Sequence, residues 1–132
     1  MSDEIKRKKI LIVEDEEKIR RVIRKTLEKE FDIEEAADGW DAIQKTEKVF
    51  DLILLDIVMP GLSGHTAFTA LDTELENASI ETSQAPPTLV LTALPKTDNR
   101  VQQLLDKKNS AGYIQKPFSP DHLLKMVKQI LS

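Results

Sequence analysis

The chain has 132 residues, 40% of them apolar and 32% charged, with a formal net charge of −4. Such a length suits one domain with a proper core and leaves little for a second, and the composition fits a soluble globular protein. With no cysteine, disulfides, thiolate metal sites and thiol catalysis are excluded; no apolar run approaches the roughly 20 residues of a membrane span, and the negative balance argues against unaided nucleic-acid binding.

Lys6-Arg7-Lys8-Lys9 precedes an apolar run too short for the core of a signal peptide, and acidic residues follow at once. A cytoplasmic location is therefore expected. Ile10-Leu11-Ile12-Val13 reads as a buried parallel strand. A first helix is predicted over about residues 17–30, with Ile19, Val22, Ile23 and Leu27 on one face. Its basic residues Lys18, Arg20, Arg21, Arg24 and Lys25 read as a solvated surface. Residues 31–37 read as a short strand in which Phe31, Ile33 and Glu35 alternate against acidic neighbours, and Asp38-Gly39 signals a turn. A second helix, with Ala42 and Ile43 inward, is predicted as far as Val49. Leu52-Ile53-Leu54-Leu55 is the third strand.

Met59-Pro60-Gly61-Leu62-Ser63-Gly64 is a loop, followed by a third helix over about residues 65–75 with Phe68, Leu71 and Leu75 on one stripe. Residues 77–87, about 11 in number, have the composition of an exposed loop near the upper length limit for a compact domain. Pro86-Pro87 prevents strand pairing before Thr88, so the fourth strand is placed at residues 89–92. A fourth helix over about 97–109 turns Val101, Leu104 and Leu105 inward, and Gly112 begins the fifth strand. Ser119 is a candidate N-cap, with Pro120 at the first helical position of a last helix carrying Leu123, Leu124, Val127, Ile130 and Leu131. His65 and His122 are given surface or capping roles. Five strands alternating with five helices imply an α/β fold, a three-layer sandwich, and residues 1–132 are expected to form one domain with its core at about 8–131.

Residues able to do phosphoryl chemistry follow four of these strands. Glu14 and Asp15 come after the first, Asp56 after the third, Thr92 ends the fourth, and Lys116 follows the fifth. In an open parallel sheet the carboxyl ends of the strands share one edge, where ligands bind. Three carboxylates in one place repel by roughly 4 kcal/mol per close pair at an effective dielectric near 20, so one takes a proton or a cation relieves them. Magnesium suits these oxygen donors, whereas zinc has neither cysteines nor paired histidines to hold it. Asp56 opens a loop and can attack phosphorus; Lys116 adds positive charge, Thr92 a hydroxyl donor, and the small Ala93 leaves room for the incoming group.

Val13-Glu14-Asp15-Glu16, Leu54-Leu55-Asp56-Ile57-Val58-Met59-Pro60-Gly61, Leu91-Thr92-Ala93 and Tyr113-Ile114-Gln115-Lys116-Pro117-Phe118, in this order, resemble the receiver domain of two-component response regulators. The resemblance implies a flavodoxin-like strand order 2-1-3-4-5. It implies that Asp56 accepts a phosphoryl group from a sensor histidine kinase or histidine phosphotransfer protein. Mg2+ would be held by Glu14, Asp15, Asp56 and the Val58 backbone carbonyl. Thr92, Ala93 and Lys116 would receive the phosphoryl group, Thr92 moving toward it while Tyr113 turns inward, and the Lys116–Pro117 peptide would be cis. Partner binding would switch on the surface of the fourth helix, fifth strand and last helix; the downstream target would be a protein, with no direct nucleic-acid or membrane contact. In this family the residues two beyond the phosphorylated Asp and two beyond the Thr tune dephosphorylation; here they are the apolar Val58 and Leu94, which implies a slow loss of phosphate.

The chain departs from the family in its long 77–87 loop, an extended fourth helix, and Ser63 where Asp or Asn is common. Two other readings stay open. One is a receiver-like interaction module that works without phosphorylation. The other is an aspartyl-phosphate hydrolase, disfavoured because Val58 stands where a second Asp would act as acid and base. On the receiver reading the chain catalyses only its own phosphorylation and dephosphorylation, and so is not an enzyme toward other substrates.

Overall fold

The computed structural model describes residues 7–45, 49–57, 86–107 and 109–132, without the side chains of residues 39, 40 and 43. The predicted third helix, His65, Val58 and most of the 77–87 loop lie outside these residues. In chain order the described elements are β1 (Lys9–Val13), α1 (Glu17–Leu27), β2 (Asp32–Ala36), α2 (Gly39–Gln44), β3 (Leu52–Leu55), β4 (Thr88–Thr92), α3 (Asn99–Leu105), β5 (Ser110–Gln115) and α4 (Pro120–Leu131). The α3 and α4 of this numbering are the fourth and last helices of the sequence reading.

All strand pairs are parallel and the sheet order is β2-β1-β3-β4-β5. β3 is apolar throughout, and β1 from Ile10 and β4 over Leu89–Leu91 are apolar too, because both faces of the sheet are covered. Alternation along the strands divides the interior in two. Leu11, Val13, Ile53, Leu55 and Val90 pack with Ala42 of α2 and with Val101 and Leu104 of α3. Ile10, Ile12, Leu52, Leu54, Leu89 and Leu91 pack with Ile23 and Leu27 of α1 and with Leu123 and Val127 of α4. The sheet is therefore the middle of three layers, as predicted.

The helices differ from their predicted bounds for local reasons. α1 ends at Leu27, and the Glu28–Glu30 turn closes with Phe31 N–H bonded to Leu27 O at 3.0 Å. Arg7 steadies the turn by donating to the Glu28 and Phe31 carbonyls. Val22, expected inward, is 44% exposed; the buried stripe runs through Ile23 and Leu27, with Ile19 partly buried a turn earlier. α2 stops at Gln44, well before Val49, which is 82% exposed. α3 is shorter than the predicted fourth helix, not extended: Asp98 is in an extended conformation and its carboxylate accepts from Arg100 N–H at 2.8 Å, which starts the helix at Asn99, two residues after the predicted start. Ser119 caps α4 as expected, accepting from His122 N–H.

β5 begins at Ser110, ahead of the Gly112 start read from the sequence. Its pairing with β4 shifts register between Thr88 and Leu89, and Gly112 takes a φ of 135° at that irregularity. A residue without Cβ suits this conformation.

Candidate functional site

The ladder of backbone hydrogen bonds continues past the strand ends and fixes the residues that follow. Glu14 N–H bonds Ala36 O at 3.0 Å, Asp56 N–H bonds Val13 O at 3.0 Å, and Lys116 N–H bonds Thr92 O at 2.8 Å. The Lys116–Pro117 peptide is cis. Residues separated by up to 102 positions in sequence thus meet at one edge of the sheet.

Four of the predicted site residues are brought together. The Lys116 Nζ donates to Glu14 Oε1 at 2.5 Å and to Asp56 Oδ2 at 2.9 Å. Carboxylate oxygens of Glu14, Asp15 and Asp56 lie within 4.8 Å of one another. Glu14 and Asp56 are buried, at 1% and 5% exposure, while Asp15 is half-buried. The second Glu14 oxygen accepts from Glu16 N–H at 3.2 Å.

Among the described residues, two carboxyl groups face the Lys116 ammonium and a third, Asp15, lies in the same cluster, which leaves a surplus of negative charge. Burial pushes the Glu14 carboxyl up to about 7, against the pull of the Lys116 hydrogen bond and with added repulsion from Asp56. Burial alone would lower the Lys116 ammonium, but its bonds to Glu14 and Asp56 outweigh this and hold it above the usual lysine value. The two directions look opposed for one ion pair. They agree once the count is made: the ammonium stays charged because two carboxyls compete for it, and the more buried carboxyl is the one driven toward its neutral form. A cation would relieve the same surplus. The donor set is all oxygen and it converges, which fits a hard divalent ion.

Thr92 is fully buried at the end of β4, and its hydroxyl oxygen accepts from Leu94 N–H at 3.3 Å. That bond uses a lone pair and not the hydroxyl proton. Ala93 is exposed beside it. Tyr113 packs on the α2 and α3 side of the sheet and donates its hydroxyl to Leu94 O; burial raises its phenol above the usual value. Leu94 packs against the same core. His122 contributes its backbone to the α4 cap, and its side chain is exposed.

The sequence reading missed Arg20 and Glu35. Lys18, Arg21 and Lys25 are exposed, as a solvated face requires. Arg20 is not: its Nη1 donates to the Glu14 carbonyl at 2.8 Å and its Nε to Glu35 Oε1 at 2.9 Å. Arg24 also pairs with Glu35. The only signal was a basic residue shortly after the acidic pair, and its partner on β2 becomes visible once β2 lies beside β1.

Comparison with known proteins points the same way. The chain is 40% identical over 131 residues to the transcriptional regulatory protein ResD of Bacillus subtilis, a match covering 98% of this chain and 50% of ResD. It is 36% identical over 124 residues to the transcriptional regulatory protein SrrA of Staphylococcus aureus, covering 92% of this chain and 47% of SrrA. The chain thus spans about half the length of these curated relatives. Among solved structures, the chemotaxis protein CheY4 of Vibrio cholerae superposes with a TM-score of 0.77 at 30% identity, covering 95% of this chain and 99% of CheY4. The receiver domain of the Francisella response regulator 1452 gives a TM-score of 0.74 at 30% identity, covering 93% and 95% of the two chains. The family model of the response regulator receiver domain matches residues 10–128, and the chain belongs to that family.

Proposed function

We propose that Asp56 is the phosphoacceptor and that the donor is a phosphohistidine on a sensor kinase or phosphotransfer protein. A carboxylate oxygen of Asp56 attacks phosphorus. An O–P bond forms as the P–N bond breaks, and the electron pair returns to the imidazole nitrogen, which takes a proton from water. Lys116 moves from its bond with Asp56 onto the arriving phosphoryl oxygens, and the Thr92 hydroxyl donates to another of them. Mg2+ held by Glu14, Asp15 and Asp56, with the Val58 carbonyl that family resemblance adds, would neutralise charge on the phosphoryl group as it nears these carboxylates.

The observation that carries this reading is the Lys116 ammonium lying against both Asp56 and Glu14, with Asp15 in the same cluster. A structural ion pair needs one carboxylate; among the described residues, two carboxyls on one ammonium with a third beside them make a site that gains from a cation and an added anion together. The chain acts on itself alone and turns over no outside substrate. It works in the cytoplasm as one receiver unit over about residues 8–131, signalling to a protein target through the surface formed by α3, β5 and α4. Incubation with acetyl phosphate and MgCl2 tests the reading. Wild type takes up phosphate and Asp56→Asn does not; equal uptake by the two would remove Asp56 from its role and favour an interaction module that works unphosphorylated.

A further inference from the structure

Arg20 is a half-buried cation, 18% exposed, whose hydrogen bonds among the described residues go to groups other than the carboxylates of the cluster. It spans from α1 to two acceptors instead. One is the carbonyl oxygen of Glu14, and the other is the Glu35 carboxylate on β2. The Glu14 residue is then held on both sides, its N–H by Ala36 O and its carbonyl by Arg20. A peptide unit is planar. Fixing the Glu14 carbonyl therefore fixes the Asp15 N–H and the direction in which the chain enters Asp15. Glu35, which also pairs with Arg24 and whose backbone carbonyl accepts from Lys45, anchors the guanidinium to the sheet.

We infer that Arg20 is a positioning residue: with Glu35 it locks the Glu14–Asp15 peptide so that both carboxylates face Asp56 and Lys116. The part of this that concerns Mg2+ rests on the site assignment proposed above. The sign of the effect separates positioning from charge. Arg20 is a cation near a cation site, so by Coulomb's law alone its removal would tighten Mg2+ binding. Glu35 neutralises that charge, and what Arg20 supplies is geometry, so its removal weakens binding. Partners that orient ligand groups from behind commonly change metal affinity by about 10-fold to 100-fold.

The test uses the full chain and MgCl2, with calorimetric affinity as one readout. Amide hydrogen exchange at Asp15 and Glu16 in EDTA, where no metal is bound, is the other. Arg20→Ala is expected to weaken Mg2+ binding by about 10-fold and to speed exchange at both amides. Arg21→Ala, which removes only the exposed pair with Glu17, leaves both readouts as in wild type. Arg20→Lys keeps the charge but offers one nitrogen where Arg20 uses two; it gives an intermediate loss and carries the test if the alanine variant does not fold. Mg2+ binding by Arg20→Ala as tight as wild type or tighter, or exchange no faster than in Arg21→Ala, overturns the inference. Should wild type itself bind no Mg2+, the magnesium assignment fails and exchange alone decides the positioning role.

Discussion

Glu14 is the residue on which the site is most finely balanced. Its folded-state value of about 7 stands above its ordinary 4.5, so the metal-free folded chain holds a proton that the unfolded chain has released. The stability Glu14 contributes is fully present below 4.5 and is lost as pH rises through about 7. Lys116, also raised, contributes stability present at neutral pH and lost only in the alkaline range. In EDTA, urea midpoints should therefore fall between pH 5 and pH 8 for wild type. In Glu14→Gln, which cannot titrate at this position, the fall should be smaller; equal slopes would show that the Glu14 carboxyl is not the group concerned. At this scale the sequence was informative wherever a side chain followed a strand. Sheet geometry alone sends Glu14, Asp15, Asp56 and Lys116 to one edge. Arg20 escaped because it sits on a helix among other basic residues, where spacing alone does not tell which long side chain turns back to the sheet.

At the scale of elements, the strands were easier to place than the ends of helices. Apolar runs covered on both faces announce β1, β3 and β4, whereas helix ends are decided by single hydrogen bonds such as Arg100 N–H to Asp98. Val22 was misplaced because it lies one position before Ile23 on the helix, at the border of the buried stripe, where spacing does not separate inside from outside. Gly112 was read as the point at which a strand could start, but it lies within β5, where the register shifts. A Cβ there would meet Leu89 and Met126 at an ordinary 3.5 Å, so space is not the constraint; the φ of 135° is. Gly112→Ala should cost about 1–3 kcal/mol by urea denaturation while leaving the fold intact. An unchanged midpoint would mean that the β4–β5 irregularity relaxes freely.

For the molecule as a whole, the site lies where both interior compartments end. Leu94 and Tyr113 belong to the compartment that holds α2 and α3, and they meet through the Tyr113 hydroxyl and the Leu94 carbonyl. With Leu94 packed and apolar, no side chain at this position can orient a water for attack on a phosphorylated Asp56. Phosphorylated protein, freed of acetyl phosphate and kept in MgCl2, should hold its phosphate for minutes or longer; decay within seconds would refute this. The three-layer α/β class was legible because buried parallel strands alternating with amphipathic helices leave few arrangements, whereas the strand order came with the family resemblance.

The division of the interior has a mechanical meaning. Along β5, Tyr113 faces one compartment and the next residue, Ile114, the other. The sheet acts as a bulkhead: among the described residues, the side chains packed around Tyr113 and those packed around Ile114 form separate clusters. A substitution that repacks Tyr113 is therefore expected to disturb the α3 flank before it reaches the seating of α1 and α4.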